Sequence, residues 1–123
     1  GRRPGRRSSD PVPGDDNRPV IVQTNCGNEA EAKVLAREAV GTGLAAGATI
    51  NGPVTSIYRW QGDITEAHEW VLHLKTTTER LAEIELLIAA RHGYELPCIL
   101  VLPIEGGEAR YLDWLSRESG SAA

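Results

Sequence analysis

Val54-Thr55-Ser56-Ile57-Tyr58-Arg59-Trp60, a turn at Gln61-Gly62-Asp63, and Trp70-Val71-Leu72-His73-Leu74-Lys75 together decide how this chain folds. In the first run Val54, Ser56, Tyr58 and Trp60 alternate with Thr55, Ile57 and Arg59, which is the two-residue period of an extended strand. In the second, Trp70, Leu72 and Leu74 share one face while His73 and Lys75 point away. Asn51-Gly52-Pro53 interrupts the first strand near its start and predicts a bulge or bend, because Pro cannot donate to a ladder. The hairpin is longer than one small domain needs. A strand that overruns its own helices leaves backbone groups and apolar side chains without partners inside the subunit, which points to self-association.

Working outward, Val20-Ile21-Val22-Gln23-Thr24 is a short β-branched run suited to a buried strand. Asn28 offers an N-cap, with Glu29 and Glu31 in the first turn where the helix dipole favours negative charge. Ala32, Leu35, Ala36, Ala39 and Val40 then repeat on one helical face, ended by Gly41 and Gly43. After the hairpin, Thr76-x-x-Glu79 has capping-box spacing. Leu81, Ile84, Leu87 and Ile88 form a second buried stripe, and Gly93 stands where a left-handed residue would end the helix. Ile99-Leu100-Val101-Leu102 reads as a strand and places Cys98 in the core. Tyr111, Trp114 and Leu115 suggest a short last helix. The order is β-α-β-β-α-β plus a terminal helix, an α+β ferredoxin-like sandwich with a long central hairpin.

The chain has 123 residues, 41% of them hydrophobic, and a formal net charge of -4. That length accommodates one domain with one core. No run approaches the ~20 apolar residues of a membrane-spanning helix. Two Cys cannot build a disulfide framework, and an acidic balance argues against sequence-blind nucleic-acid binding. Residues 1–18 contain Arg2, Arg3, Arg6, Arg7 and Arg18 with several Pro and Gly. They cannot bury enough surface to offset the entropy of ordering, so they read as a flexible tail. It lacks the apolar region of a secretory signal and the amphipathic face of a transit peptide. Residues 19–118 form the domain, and 119–123 are expected to be a disordered end.

The predicted order of strands and helices brings the loop after the first strand, the end of the second helix and the hairpin turn to one end of the domain. Cys26, His92 and Glu95 are therefore neighbours in expectation. Thiolate, imidazole and carboxylate are the donors that bind borderline and soft transition metals. Each has a plainer role as well: Cys26 as a small buried side chain, His92 as a cation at a helix C-terminus, Glu95 as a solvated carboxylate. No P-loop or Rossmann glycine pattern, G-x-S-x-G or H-E-x-x-H occurs. A Cys26–His92 nucleophile pair lacks an orienting third group and an oxyanion site, so no enzyme is expected.

Pro53 through Gly62, with Leu44-Ala45-Ala46, Leu74-Lys75-Thr76, His92-Gly93-Tyr94-Glu95-Leu96-Pro97 and Leu102-Pro103-Ile104 through Leu115, resembles the CutA family of divalent-cation tolerance proteins. The likeness runs in register from about Val20 to Leu115. It implies a ferredoxin-like subunit in a tight homotrimer whose hairpins complete intersubunit sheets. It also implies a cytoplasmic protein linked to metal-ion response and copper binding, with copper not required for the fold and no established enzymatic activity. The ligand pattern proposed for bacterial members has a Cys where this chain has Thr24 and a His pair where it has Arg91 and His92. The family's L-A-A-C Cys is Gly47 here. Of the ligand pattern His92 remains, with Cys26 two residues past the Cys position.

Three roles follow from this reading. One is a trimer that handles divalent metal, chiefly copper, at the subunit end through His92, Cys26 and Glu95. Another is a regulatory trimer resembling the nitrogen-regulatory PII proteins, taking a small anionic ligand between subunits near Tyr58, Arg59, Lys75 and Tyr94. The third is a scaffold trimer without a ligand, in which Tyr58, Arg59 and Trp60 serve the interface.

Overall fold

The computed structural model describes residues 17–121. Strand β1 (Pro19–Cys26) leads into helix α1 (Glu29–Gly41), then the hairpin strands β2 (Gly47–Trp60) and β3 (Asp63–Thr77). A single 3-10 turn over Thr78–Arg80 precedes helix α2 (Leu81–Arg91), strand β4 (Leu100–Pro103) and helix α3 (Ala109–Ser116). The four strands form one antiparallel sheet in the order β2-β3-β1-β4, the ferredoxin-like arrangement that the sequence predicts.

Alternation along β1 sends Val20, Val22, Thr24 and Cys26 into the core. There they join Leu72 and Leu74 of β3, Leu35, Ala32, Ala36 and Ala39 of α1, and Ile84 and Ile88 of α2. Small Ala side chains let α1 lie close on the sheet, and Val40 falls at the edge of its stripe, 40% exposed. Asn28 caps α1 as expected, its side chain accepting from the Glu31 N–H at 2.8 Å. Gly43 takes a φ of 79° just past the helix, a conformation open to Gly at little cost.

Several local expectations give way to tertiary contacts. Thr76 does not cap α2; its buried hydroxyl donates to the Leu44 carbonyl at 2.6 Å. Asn17 supplies an acceptor to the Glu79 N–H at 3.0 Å instead, and Arg18 exchanges hydrogen bonds with Thr78. Asn17 and Arg18 thus belong to the folded unit, while the rest of the predicted tail lies outside the described residues. Gly93 is not left-handed; its small size matters because a Cβ there would meet Glu31 Oε2 at 3.3 Å. Cys98 precedes β4 and is exposed rather than in the core. Nor is residue 119 a loose end. Ser119 is buried, and the Arg80 guanidinium donates to the Ser119 carbonyl at 2.8 Å and to the Gly120 carbonyl. Residues 122 and 123 lie outside the described residues.

The hairpin overruns the sheet. Partner residues on β1 begin opposite Trp70, so Asp63–Glu69 pair only with β2. At about 3.4 Å per residue that overhang reaches roughly 20 Å. On it Ile57 and Ile64 are 66% and 72% exposed, and all of β4 is exposed. The expected bulge lies between Asn51 and Val54. A Cβ on Gly52 would stand 2.5 Å from Trp70 Cδ1 and 3.0 Å from the Glu69 carbonyl oxygen. Gly52→Ala should therefore lose about 1–3 kcal/mol in urea unfolding. Gly41→Ala, whose Cβ meets nothing within 4 Å, should be neutral or slightly stabilising.

Candidate functional site

Two adjoining arrangements occupy the end of the domain where β1 meets the hairpin. The first consists of Cys26 at the end of β1, Glu31 in the first turn of α1 and His92 just past α2. One donor atom from each lies within 4.8 Å of the others. The predicted convergence of the first loop and the end of α2 thus places Cys26 and His92 together. The third donor is Glu31; Glu95 is not in this group, is exposed, and lines a neighbouring cavity. Glu31 escaped the sequence reading because its position in a capped first turn accounts for it locally. The available signal was its three-residue spacing from the cap, which turns it toward the chain leaving β1.

Each donor already has a hydrogen-bond partner or a proton. His92, its side chain fully buried, donates from Nε2 to the Asn25 carbonyl at 2.7 Å. Its Nδ1 accepts from the Tyr94 N–H at 3.1 Å and stands 3.5 Å from Glu31 Oε1. These contacts account for His92 without a role as an exposed cation at the end of α2. Glu31 Oε1 accepts from the Gly93 N–H at 2.7 Å. Burial, reinforced by the charges of Glu31 and Glu69, pushes the Cys26 thiol up to about 11. Thr24 is fully buried on the same face of β1, and its hydroxyl has no hydrogen-bond partner among the described residues.

The donor set of sulfur, nitrogen and oxygen suits a soft or borderline transition metal. Two ligands bonded to one such ion at about 2.0–2.3 Å in a tetrahedral site stand about 3.3–3.8 Å apart. The group therefore fits a metal after a small contraction and the release of the thiol proton.

The second arrangement is a cavity of about 730 Å³ lined by Ser56, Tyr58, Arg59, Trp60, Glu69, Tyr94 and Glu95, among others. Ser56, Tyr58 and Trp60 share the face that their alternation predicts. Lys75 is not among the lining residues; its Nζ reaches Thr49 Oγ1 at 3.3 Å. Glu69, a residue the sequence reading passed over amid the hairpin's charges, is 5% exposed. Asn25 Nδ2 donates to its Oε1 at 3.0 Å. Burial works against its charge, but hydrogen bonds from Ser56, Asn25 and Tyr94, with His92 nearby, outweigh burial and hold the carboxyl below its usual range. The Tyr94 phenol is pushed up, by burial first and then by its hydrogen bond to Glu69.

The family model described as CutA1 divalent ion tolerance protein matches residues 20–118. A relative from Thermus thermophilus, called divalent-cation tolerance protein CutA, is 39% identical over 100 residues, covering 81% of this chain and 97% of its own. The solved Thermus thermophilus divalent cation tolerance protein superposes with a TM-score of 0.81 at 38% identity, covering 83% of this chain and 99% of that one. A structure from Archaeoglobus fulgidus, titled a periplasmic divalent cation tolerance protein, gives 0.79 at 32% identity over 82% and 98% of the two chains. A Nostoc structure titled PII-like protein CutA gives 0.75 at 27% identity over 81% and 96%.

Two outcomes follow from the site's electrostatics. In the native protein at neutral pH, iodoacetamide should label exposed Cys98 and leave Cys26 unmodified until the protein unfolds, as read by peptide mass. Glu69, with its folded pKa depressed, contributes stability that is present above the unfolded carboxylate pKa of about 4.3 and is lost as pH falls through the folded value. Urea unfolding at a series of acid pH values should therefore show a shallower loss of stability in Glu69→Gln than in the wild type.

Proposed function

The chain belongs to the CutA1 divalent ion tolerance family, and from that premise we propose that it assembles as a homotrimer and handles a soft or borderline divalent metal, copper foremost. The observation that carries the metal role is the convergence of Cys26, Glu31 and His92 within 4.8 Å. A bound ion would supply the positive charge that favours the Cys26 thiolate. It would compete with the Gly93 and Tyr94 N–H groups for Glu31 and His92. Copper is a cargo in this reading, and the hydrophobic core holds the fold without it. The role is a non-enzymatic one: a buried thiol pushed up to about 11 is in the wrong state for a nucleophile at neutral pH.

Trimer formation rests on the overhanging hairpin and on exposed apolar side chains at Ile57, Ile64, Leu100 and Leu102. These surfaces need a partner, and a second copy's strand edge satisfies both backbone and side chains. Among the described residues no helix is long and apolar enough to cross a membrane, and we place the protein in the cytoplasm. A PII-like regulatory trimer taking an anionic ligand is supported less far, because Lys75 lies away from the cavity and Glu69 and Glu95 outnumber Arg59 in its lining. A scaffold trimer without any ligand uses His92 and Glu31 only as hydrogen-bond partners of Asn25, Tyr94 and Gly93, and leaves the approach of the Cys26 thiol to them unexploited.

Calorimetric titration with Cu(II), and with Cu(I) under reducing conditions, tests the metal role. Uptake of about one ion per chain is expected, with affinity rising about tenfold per pH unit near neutrality as one thiol proton is displaced. Cys26→Ser combined with His92→Ala should abolish it, and unchanged copper affinity in that double variant would remove these residues as ligands. Light scattering should give three times the chain mass, with melting temperature rising with protein concentration. A folded monomer at micromolar concentration would overturn the assembly.

A further inference from the structure

Helices α1 and α2 pack on one face of the sheet, where Val22 and Cys26 of β1 and Leu72 and Leu74 of β3 lie. Alternation sends Ile21, Gln23 and Asn25 of β1 and Val71, His73 and Lys75 of β3 to the other face, and all six are half-buried. Residues opposite one another in antiparallel strands share a face, so the register aligns them in rows. Thr49, His73, Gln23 and Leu100 form one row, and Gly47, Lys75, Ile21 and Leu102 form the next-but-one along the strands. Helix α3 lies over the Gly47 end, where a Cβ on Gly47 would meet Trp114 at 3.7 Å. Leu100 and Leu102, 49% and 39% exposed, belong to the apolar surface that calls for a second copy. The His73 row is continuous with that surface.

In the middle of this face His73 Nε2 stands 2.9 Å from Gln23 Oε1. An amide oxygen only accepts, so Nε2 carries the hydrogen and Nδ1 is the atom left to take a proton. Two charged groups share the face with His73 on β3. Lys75 is two residues along, its Nζ reaching Thr49 Oγ1 at 3.3 Å. Glu69 is four residues the other way, about 13 Å by strand rise, and is held by Asn25, Ser56 and Tyr94. From β1 the face receives Ile21, Gln23 and Asn25, and from β2 Gly47, Thr49 and Asn51, none of them titratable. The β4 residues in these rows are Leu100 and Leu102. On α3 the ionisable Arg110, Tyr111 and Asp113 are exposed. A proton on His73 thus meets a like charge nearer than any carboxylate.

We infer that this open face is a contact between copies of the chain, centred on the Gln23–His73 pair, and that protonation of His73 loosens it. The inference rests on the trimer reading and adds to it where the copies meet and what weakens the contact. A second copy laid on the face removes water from the imidazole. The neutral ring keeps its hydrogen bond to Gln23 among apolar neighbours, whereas the charged ring loses its hydration and faces Lys75. Imidazole is the side chain whose charge ordinarily changes between about pH 5 and 8. Separated chains take up that proton more readily than assembled ones. Assembly is therefore strongest above this range and weakens as pH falls through it. Each copy contributes its own imidazole, so the effect multiplies with the number of copies.

Sedimentation of the full chain over a dilution series at about pH 8 and about pH 5.5 tests this. The chain concentration at which half of the trimer has separated should rise at least about tenfold between the two. His73→Leu should stay assembled equally well at both. His73→Gln, an amide without a titratable proton, takes its place if the Leu variant does not fold by circular dichroism. Both variants leave His68 and His92 intact, so a pH response from those residues would persist in them. A trimer at both pH values down to nanomolar chain overturns this inference and leaves the trimer standing, whereas a monomer at about pH 8 overturns the trimer as well. Equal separation of the wild type and the folded variant in acid also overturns it.

Discussion

Cys26 lies opposite Trp70 in the β1–β3 pairing, and most of what is distinctive in this molecule follows from that register. It sets Val22, Thr24 and Cys26 beside Leu72 and Leu74 in the core. It also ends β1 one residue short of Glu69, so the hairpin continues as a two-stranded ribbon without β1 beneath it. A slip of one residue would exchange the two faces of β1, exposing Val22 and burying Gln23. Asn25, adjacent to the end of β1, is thereby brought within 3.0 Å of Glu69.

Asn25 then joins the two halves of the functional end. Its carbonyl accepts from His92, and its side chain donates to Glu69. Tyr94 makes the same link from the other side, its N–H reaching His92 Nδ1 and its phenol hydrogen-bonding Glu69. A tilted contact between the His92 and Tyr94 rings, with centroids 4.9 Å apart, packs this connection. Gly27 lets the Tyr94 ring lie close, since a Cβ there would press on it at 3.2 Å. The Cys26–Glu31–His92 cluster and the cavity are separate in chemistry and share a frame.

The legible part of the site was the part that topology alone could place. Cys26 and His92 are rare, chemistry-bearing side chains at the ends of two elements, and the element order brings those ends together. Glu31 and Glu69 were harder to see because each has an ordinary local explanation, one as a first-turn acid and the other as a charge in an exposed hairpin. Glu95 was placed by proximity in sequence to His92, but the chain turns away after the helix and carries it to the cavity rim. Cys98 was read as core because its neighbours are apolar; the strand starts two residues later, at Leu100.

The sequence by itself determined the element types and their order, because hydrophobic period is a local property that each strand and helix must satisfy to bury a face. It also determined the overlong hairpin, since both alternating runs and the turn between them are contiguous. Tertiary structure decided what the capping and acidic side chains do. Thr76 turned to the Leu44 carbonyl, Asn17 took over the first turn before α2, and Arg80 fastened the chain at Ser119 and Gly120. Those partners are distant in sequence, and a polar group that becomes buried takes whichever donor or acceptor the packed chain puts within reach.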